Sequence, residues 1–471
     1  MRRLSEREVT FEVKPSWRMP DLAEVQPDGA TLDASTDELH ANYFDTPQAT
    51  LQQLGVTLRR RTGGADAGWH LKVTEGLART EYQSRARGPR VPQALNRLLA
   101  GVLVGQELGE VATITTTRHA TRLQDQHGAL LVEVADDHVF GATIGEVATL
   151  DRWREVEVEL GPAGDETLLT KITKVFRKAD ARSAKVQRKL DRLQTQNGSA
   201  PNGNKLGQAV AAYAREQCVT ILLGDIALRD QPGPEAVHKT RVAIRRLRST
   251  LRNFGPVFAL DDEAVTAFDD NLRWLAGLLS PVRDGDILAR RLTAELSKLP
   301  AEQVLGPVAI EIEEAVAADR GAAIKAWRAA WRDDRYAAIM TTLTSWLVEM
   351  PVQKTDLKAP VVIKKAQRKA DKRLEGAAED PEQLHQARKS AKRLRYAGEL
   401  LAGQVGTAEK IAQKAKKVQT LLDEHQDLVV AADFLRRAGA RNGVREGHNG
   451  YTYGLLTARV EEQAAKIRAG L

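Results

Sequence analysis

Residues Gln194 to Lys205 read QTQNGSAPNGNK, a stretch rich in Asn, Gly and Ser that shows no hydrophobic period. That is linker composition, and the sequence on its two sides follows different periods. Towards the N-terminus, short runs alternate apolar and polar residues: EVTFEVK (Glu8 to Lys14), GVTLRRR (Gly55 to Arg61), WHLKV (Trp69 to Val73), TEYQSRA (Thr80 to Ala86), ALLVEVADD (Ala129 to Asp137) and WREVEVEL (Trp153 to Leu160). Gly-rich turn signals, GGADAG and GPAG, separate several of them. Beyond the linker, long stretches rich in Ala, Leu, Arg and Lys carry apolar residues at helical spacing. The chain therefore reads as an α+β multidomain protein: a β domain over residues 1–193, a linker over 194–205 and an all-α domain over 206–471.

Composition agrees. At 471 residues the chain exceeds what one ordinary core supports. Apolar content of 42% with charged content of 28% describes a globular protein, not a disordered one. The formal charge of +7 is weak evidence for nucleic acid at this length, and 5% aromatic content with no groove-reading motif lowers that reading further. With Cys218 as its one cysteine the chain forms no intramolecular disulfide and no thiolate metal cluster. The start, MRRLSEREVTFEVK, lacks the apolar segment of a secretory signal, and no apolar run is long enough to span a bilayer. The expectation is a cytoplasmic protein without membrane partners.

The helical half repeats itself. VHKTRVAIRRLRSTL begins one copy and LHQARKSAKRLRYAG the other; from His238 the basic residues fall at Arg241, Arg245, Arg246 and Arg248, and from His385 at Arg388, Lys392, Arg393 and Arg395, with the same offsets. A Leu-Leu pair and an expected Asp-containing turn follow each copy, in LLSPVRDGD (Leu278 to Asp286) and LLDEHQD (Leu421 to Asp427). On a helix, His238, Arg241, Arg245, Arg248 and Arg252 share one face, beside an apolar stripe of Val237, Ile244, Leu247, Leu251 and Phe254. A solvated charged face is the ordinary fate of such runs. These rows, however, hold no carboxylate at i,i+4 spacing until Glu399, so the cations repel one another and an anion with many phosphates would offset that cost. The absence of Cys ligands and of His-x3-His spacing argues against zinc.

This half resembles the CHAD family, the conserved-histidine α-helical domain, through its two His-x2-Arg-x3-[Arg/Lys]-Arg-Leu-Arg segments. The resemblance implies two repeated helical bundles and binding of inorganic polyphosphate, with His238, Lys239, Arg241, Arg245, Arg248, His385, Arg388, Lys389, Lys392 and Arg395 as contacts. It also implies association with polyphosphate granules.

In the β half, Glu6, Glu8, Thr10, Glu12 and Lys14 project to one face of the first strand, opposite Val9, Phe11 and Val13. Glu155, Glu157 and Glu159 share a face, as do Arg59 with Arg61 and His70 with Lys72. Acidic rows and basic rows that line one cavity would let carboxylates hold Mg²⁺ while Arg and Lys hold phosphate oxygens, which suits metal-assisted phosphoryl transfer.

The arrangement resembles the CYTH family of triphosphate tunnel metalloenzymes, through YFDTP (Tyr43 to Pro47), GVTLRRR, WHLKV and WREVEVEL in order. That implies a closed antiparallel β tunnel with flanking helices, and hydrolysis of inorganic triphosphate or short polyphosphate with Mg²⁺ or Mn²⁺; cyclisation of ATP is a minor variant. Carried over, Glu6, Glu8, Glu155, Glu157 and Asp137 are metal ligands, Glu8 and Glu157 being catalytic, and Arg59, Arg61, Lys72, Arg79, Arg118 and Lys185 bind substrate. One departure stands out: the family's first strand reads Glu-x-Glu-x-Lys, and here Thr10 takes the lysine position. A hydroxyl can hydrogen-bond a phosphate but carries no charge. The alternative is therefore a polyphosphate-binding scaffold whose tunnel has no turnover.

Overall fold

A computed structural model describes the chain except residues 76–77, 87, 146, 185–187, 194–202, 378–379 and 447, and the side chains of residues 5, 6, 75, 78 and 79. Two compact units divide it, Met1–Ser199 and Ala200–Leu471. The linker expected over 194–205 lies largely outside the described residues; its last residue, Lys205, already begins a helix that Asn204 caps from the Gly207 N–H.

The first unit is one antiparallel sheet of ten strands: β1 (Arg2–Glu6), β2 (Glu8–Val13), β3 (Thr31–Asp45), β4 (Val56–Thr62), β5 (Gly68–Glu75), β6 (Ala78–Ser84), β7 (Gly109–Gln124), β8 (Leu130–Thr143), β9 (Leu150–Leu160) and β10 (Arg182–Ser183). Their order is β1-β6-β5-β4-β3-β7-β8-β9-β2-β10. β1 begins that order and β2 stands next to its end, yet Arg7 alone separates them in sequence. One extended segment therefore pairs with β6 through its first half and with β9 through its second, and the Arg7 carbonyl accepts the Leu160 N–H at 2.9 Å. This crossing curls the sheet into a tunnel and leaves few free edges.

Helices of this unit are α1 (Thr50–Gln53), α2 (Gln93–Leu103), α3 (Glu166–Lys178) and α4 (Lys189–Leu193). Asp165 caps α3 by accepting the Leu168 N–H at 2.8 Å. The helix buries Leu168, Ile172 and Phe176 against Phe11, Val156 and Val158. The apolar face of β2 and β9 is thus spent on the outside of the sheet, under α3, and the alternate residues are left to line a polar interior.

The second unit is helical: α5 (Lys205–Asp230), α6 (Pro234–Phe254), α7 (Asp262–Leu296), α8 (Val308–Ala330), α9 (Asp334–Val348), α10 (Ala359–Leu374), α11 (Pro381–Leu401), α12 (Ala408–Asn442) and α13 (Tyr451–Ala469). The duplicated basic segments fall on α6 and α11, and Val237, Ile244, Leu247, Leu251 and Phe254 are buried as their spacing requires. α5 and α6 approach closely at Gly224, where a Cβ would stand 2.0 Å from the Thr240 Oγ1. The expected turns at Leu278–Asp286 and Leu421–Asp427 are not turns: both segments lie inside helices of 35 residues, α7 and α12. Leu272, Leu275, Leu279 and Val282 keep a buried three-four spacing straight through Pro281, so packing carries the helix past its local breakers. No helix among the described residues is long and apolar enough to cross a membrane.

Candidate functional site

The curled sheet encloses a cavity of about 590 Å³ whose walls are charged. β4 and β5 contribute Arg59, Arg61 and Lys72; β7 and β8 contribute Arg118, Arg122, Glu133 and Asp137; β2 and β9 contribute Glu8, Glu157 and Glu159. Alternation explains the selection, since Arg118 and Arg122, Glu133 and Asp137, and Glu157 and Glu159 are even steps apart on their strands.

Two of the lining carboxylates, Asp137 and Glu157, converge with that of Glu155, the three offering oxygens within 4.8 Å of one another. Arg118 grips Asp137 with two hydrogen bonds, Nε to Oδ1 at 2.8 Å and a terminal nitrogen to Oδ2 at 2.7 Å, and reaches Glu157 at 2.8 Å. The Trp153 indole donates to Glu155 at 2.7 Å. Lys189, from α4, completes the cluster: its Nζ stands 2.5 Å from Glu155, 2.6 Å from Glu157 and 3.0 Å from Asp137. Burial would raise the Glu157 carboxyl, but Lys189 and Arg118 overcome it and hold the group well below the usual carboxylate range. Burial likewise works against the Lys189 and Arg118 cations, and the carboxylates override it and raise both.

On β4, Arg59 and Arg61 are less well paired. The Arg59 Nε and the Arg61 Nε are buried without a hydrogen-bond partner among the described residues. Arg61 ion-pairs with Asp66, while burial and then the neighbouring Arg59 and Arg118 push it down to about 9. Arg59 reaches the Tyr43 hydroxyl at 3.5 Å. Lys72 stands 3.9 Å from Glu81. Burial works against the Arg59 cation too, but Tyr43 and Glu81 override it and raise it. A buried Arg61 depressed by two neighbouring arginines is a site whose electrostatics favour an incoming anion.

Of the residues expected from sequence, the tunnel brings together Glu8, Arg59, Arg61, Lys72, Arg118, Asp137 and Glu157 around one cavity. Glu155 joins Asp137 and Glu157 in the trio; Glu8 lines the cavity outside that trio. The side chains of Glu6 and Arg79, and Lys185 entirely, lie outside the described residues. Thr10 pairs in register with Glu157, is 3% exposed, and its hydroxyl has no hydrogen-bond partner among the described residues. Sequence reasoning missed Lys189, Arg122 and Glu133. Period-two reading from Arg118 and Asp137 would have reached the last two; Lys189 sits on a short helix and has no such signal.

The helical unit holds two smaller cavities between the repeated helices. Arg245, Arg248 and Arg252 of α6 and Lys389, Lys392 and Arg393 of α11 line one of about 300 Å³, together with Arg273 and, among the described residues, with no carboxylate in the wall. The other, of about 290 Å³, is lined by Arg241, His385, Arg388 and Arg291, with Asp284 and Asp427. The rows hold no i,i+4 carboxylate before Glu399, as read from sequence, but the inference that they are therefore unpaired is corrected by the neighbouring helices. Asp269 of α7 takes Arg248 at 3.0 Å and also takes Arg252; Asp284 takes Arg241 at 3.2 Å; Asp423 of α12 takes Arg388 and, at 2.8 Å, Lys392. These partners come from neighbouring helices, whereas Lys239 and Arg395 use i,i+4 carboxylates of their own helices. Lys239 pairs with Glu235, and Arg395 turns to Glu399 at 2.7 Å, where Arg246 of the first copy also docks at 2.9 Å. Neither Lys239 nor Arg395 lines either cavity, nor does His238, which is exposed.

Cations still exceed carboxylates. Arg245, Lys389 and Arg393 make no ion pair among the described residues, and the Arg245 Nε is buried and unpartnered. Burial and then Arg388 push the Lys392 ammonium down to about 8, against the pull of Asp423. His385 is lowered by burial, Lys389 and Arg388; His238, although its surface is exposed, is lowered by partial desolvation from its neighbours and by Arg283 and Arg245.

Fold and sites define a two-module protein, a β tunnel with a charged interior followed by a duplicated helical module with cationic cavities. The chain matches the CYTH domain over residues 6–190 and the CHAD domain over residues 212–436. Two Mycobacterium tuberculosis proteins, "Uncharacterized protein MT2285" of strain CDC 1551 / Oshkosh and "Uncharacterized protein Rv2226" of strain ATCC 25618 / H37Rv, are each 33% identical over 496 residues, covering 99% of this chain and 94% of theirs. Among solved structures, the CHAD domain from the plant Ricinus communis aligns with 59% of this chain and 93% of its own at 25% identity (TM-score 0.44). PptA from Streptomyces chartreusis aligns with 56% of this chain and 96% of its own at 21% identity (TM-score 0.47). The chain belongs to the family of proteins that join a CYTH domain to a CHAD domain. CYTH domains are metal-dependent and include triphosphatases and cyclases. The trio of carboxylates suits a hard divalent cation by donor type and convergence, with the Lys189 ammonium set among its oxygens.

Proposed function

We propose that the tunnel binds inorganic triphosphate or the end of a short polyphosphate and hydrolyses its terminal phosphoanhydride, and that the helical cavities bind polyphosphate. The observation that carries this reading is the division of charge by strand around one cavity: three converging carboxylates on β8 and β9, and Arg59, Arg61 and Lys72 on β4 and β5. Asp137, Glu155 and Glu157, with Glu8 beside them, would hold Mg²⁺ or Mn²⁺, which when bound neutralises charge on phosphoryl oxygens. Arg59 and Arg61 supply buried, underused donors for phosphate oxygens, and Lys72 adds a point charge. The cavity volume falls in the range of small-molecule sites, roughly 300–1,000 Å³. Polymer held by the helical unit would raise the local concentration of chain ends available to the tunnel. On this reading the protein works in the cytoplasm on the polyphosphate of granules.

Phosphate release from inorganic triphosphate, with Mg²⁺ and with Mn²⁺, tests the proposal in wild type and Glu8→Ala. Turnover in wild type that falls to background in Glu8→Ala is the expected result. A folded wild type that releases no phosphate with either ion would leave the scaffold reading, which the uncharged Thr10 and the Lys189 ammonium on the trio both favour. DNA that polyphosphate displaces, without sequence preference, would set nucleic-acid binding aside.

A further inference from the structure

The acidic trio already has a cation. Lys189 is 11% exposed and its ammonium lies within 3.0 Å of all three carboxylates, closer to Glu155 and Glu157 than Arg118 lies to Glu157. Its position is fixed from both sides. Leu190 and Leu193 of α4 are buried against Ala41, Tyr43 and Trp153, and Arg188 pairs with Asp191 at 2.6 Å and donates to the Gln52 carbonyl at 3.1 Å. These contacts hold α4 beside the trio, so withdrawal of the ammonium falls to the Lys189 side chain itself. On the neighbouring strand β2, Thr10 is paired in register with Glu157, and its buried hydroxyl has no hydrogen-bond partner among the described residues. The first strand therefore sends no charge to the trio at the position where the CYTH pattern has a lysine, and α4 sends one from the opposite end of the domain's sequence.

We infer that Lys189 is the resident cation of the tunnel: it replaces from α4 the charge that Thr10 fails to supply from β2, and it competes with divalent metal for Asp137, Glu155 and Glu157. The charge count favours competition. Three carboxylates carry −3; Arg118 and Lys189 return +2, leaving −1 for an incoming ion. A divalent ion entering beside the ammonium meets like charge at contact distance, and binding requires Lys189 to withdraw. The inference rests on the trio being the metal position of the proposed function and is independent of whether the tunnel turns substrate over.

Mn²⁺ binding to the full chain, counted by loss of the free-ion EPR signal in the absence of any phosphate, separates the outcomes. Lys189→Met is expected to bind Mn²⁺ about tenfold more tightly than wild type, or better, because the removed charge sat at contact distance from the ion. In EDTA the same variant melts below wild type, and excess Mn²⁺ restores it, while the wild-type melting temperature stays put. Thr10→Lys combined with Lys189→Met returns an ammonium to the trio from β2 and is expected to recover both the wild-type melting temperature and the weak Mn²⁺ affinity. That variant also covers the case in which Lys189→Met alone fails to fold. Equal Mn²⁺ affinity of wild type and Lys189→Met would overturn the assignment, as would a double variant no better than the single one. Calorimetric titration of triphosphate into the same proteins keeps the two readings apart. A shift in Mn²⁺ affinity without triphosphate binding would sustain the role of Lys189 and remove the proposed substrate.

Discussion

Both halves of the chain gather basic residues, and they treat them differently. In the tunnel the cations nearest the trio are matched within the fold: Arg118 to Asp137 and Glu157, Arg122 to Glu133 at 2.7 Å, Lys189 to the whole trio. In the helical cavities one aspartate serves two cations, as Asp269 does for Arg248 and Arg252, and Arg245, Lys389 and Arg393 are left over. A matched network is largely shielded by burial from added salt and holds its geometry before a ligand arrives; an unmatched row is exposed to screening and gains most from a polyanion. Two sites of similar composition are therefore expected to differ in rigidity, salt dependence and pH dependence.

The largest expected effect breaks the tunnel network. Arg118→Met leaves Asp137, which is fully buried, without its two-bond partner, and should cost about 3–5 kcal/mol in urea unfolding of the full chain. A loss well under 1 kcal/mol would mean that the tunnel is no more tightly paired than the cavities. Next comes the unmatched row. Replacing Arg245 and Arg393 together by alanine should weaken polyphosphate binding. It should also lower the slope of log affinity against log salt by about 0.7 for each phosphate that no longer meets a cation, if the polymer behaves as a single strand does. An unchanged slope would show that the cavity between α6 and α11 is not where the polymer lies.

A smaller effect follows pH. The Lys392 ammonium is held near 8 in the free protein, so it loses charge as pH rises from 7 to 9, and polyphosphate affinity should fall over that window. Lys392→Arg keeps its charge and should flatten that part of the profile. His385 is depressed in the free protein by burial, Lys389 and Arg388; a bound polyanion would raise it, so binding takes up a proton and affinity should climb as pH falls below about 6.5. Calorimetry in buffers of different ionisation heat reads that proton directly. Smallest of all is Arg395→Ala, expected to leave polyphosphate affinity within about twofold, since this residue is committed to Glu399 and away from both cavities. A large loss would place the binding face one helical step from where the cavities put it.

How much of this was legible depended on how far apart in sequence the interacting residues lie. β2, β4, β5, β6, β8 and β9 could be read as alternating runs, because one face of each packs apolar side chains against a neighbour. β3 and β7, the two longest strands, carry no such signal: TLDASTDELHANYFD and GEVATITTTRHATRLQ present polar residues on both faces, one towards the charged cavity and one outward. The basic rows on α6 and α11 were legible from their offsets. Their partners Asp269 and Asp423 were not, since they lie 17 to 35 residues away on adjacent helices.

By itself the amino-acid sequence determined what is set by period and by local chemistry: the change from strand to helix beyond the β domain, the duplication centred on His238 and His385, and which residues of β9 share a face with Glu157. Those follow from backbone geometry that repeats every two or 3.6 residues and requires no knowledge of what packs nearby. Tertiary structure alone decided that Arg7 joins β1, at one end of the sheet, to β2, next to the other, that Asp269 and Asp423 temper the basic rows, and that Lys189 occupies the carboxylate trio beside an uncharged Thr10. Each is a contact between residues distant in the chain. Burial selects such contacts, because a charge taken out of water must find its partner wherever the fold has placed one.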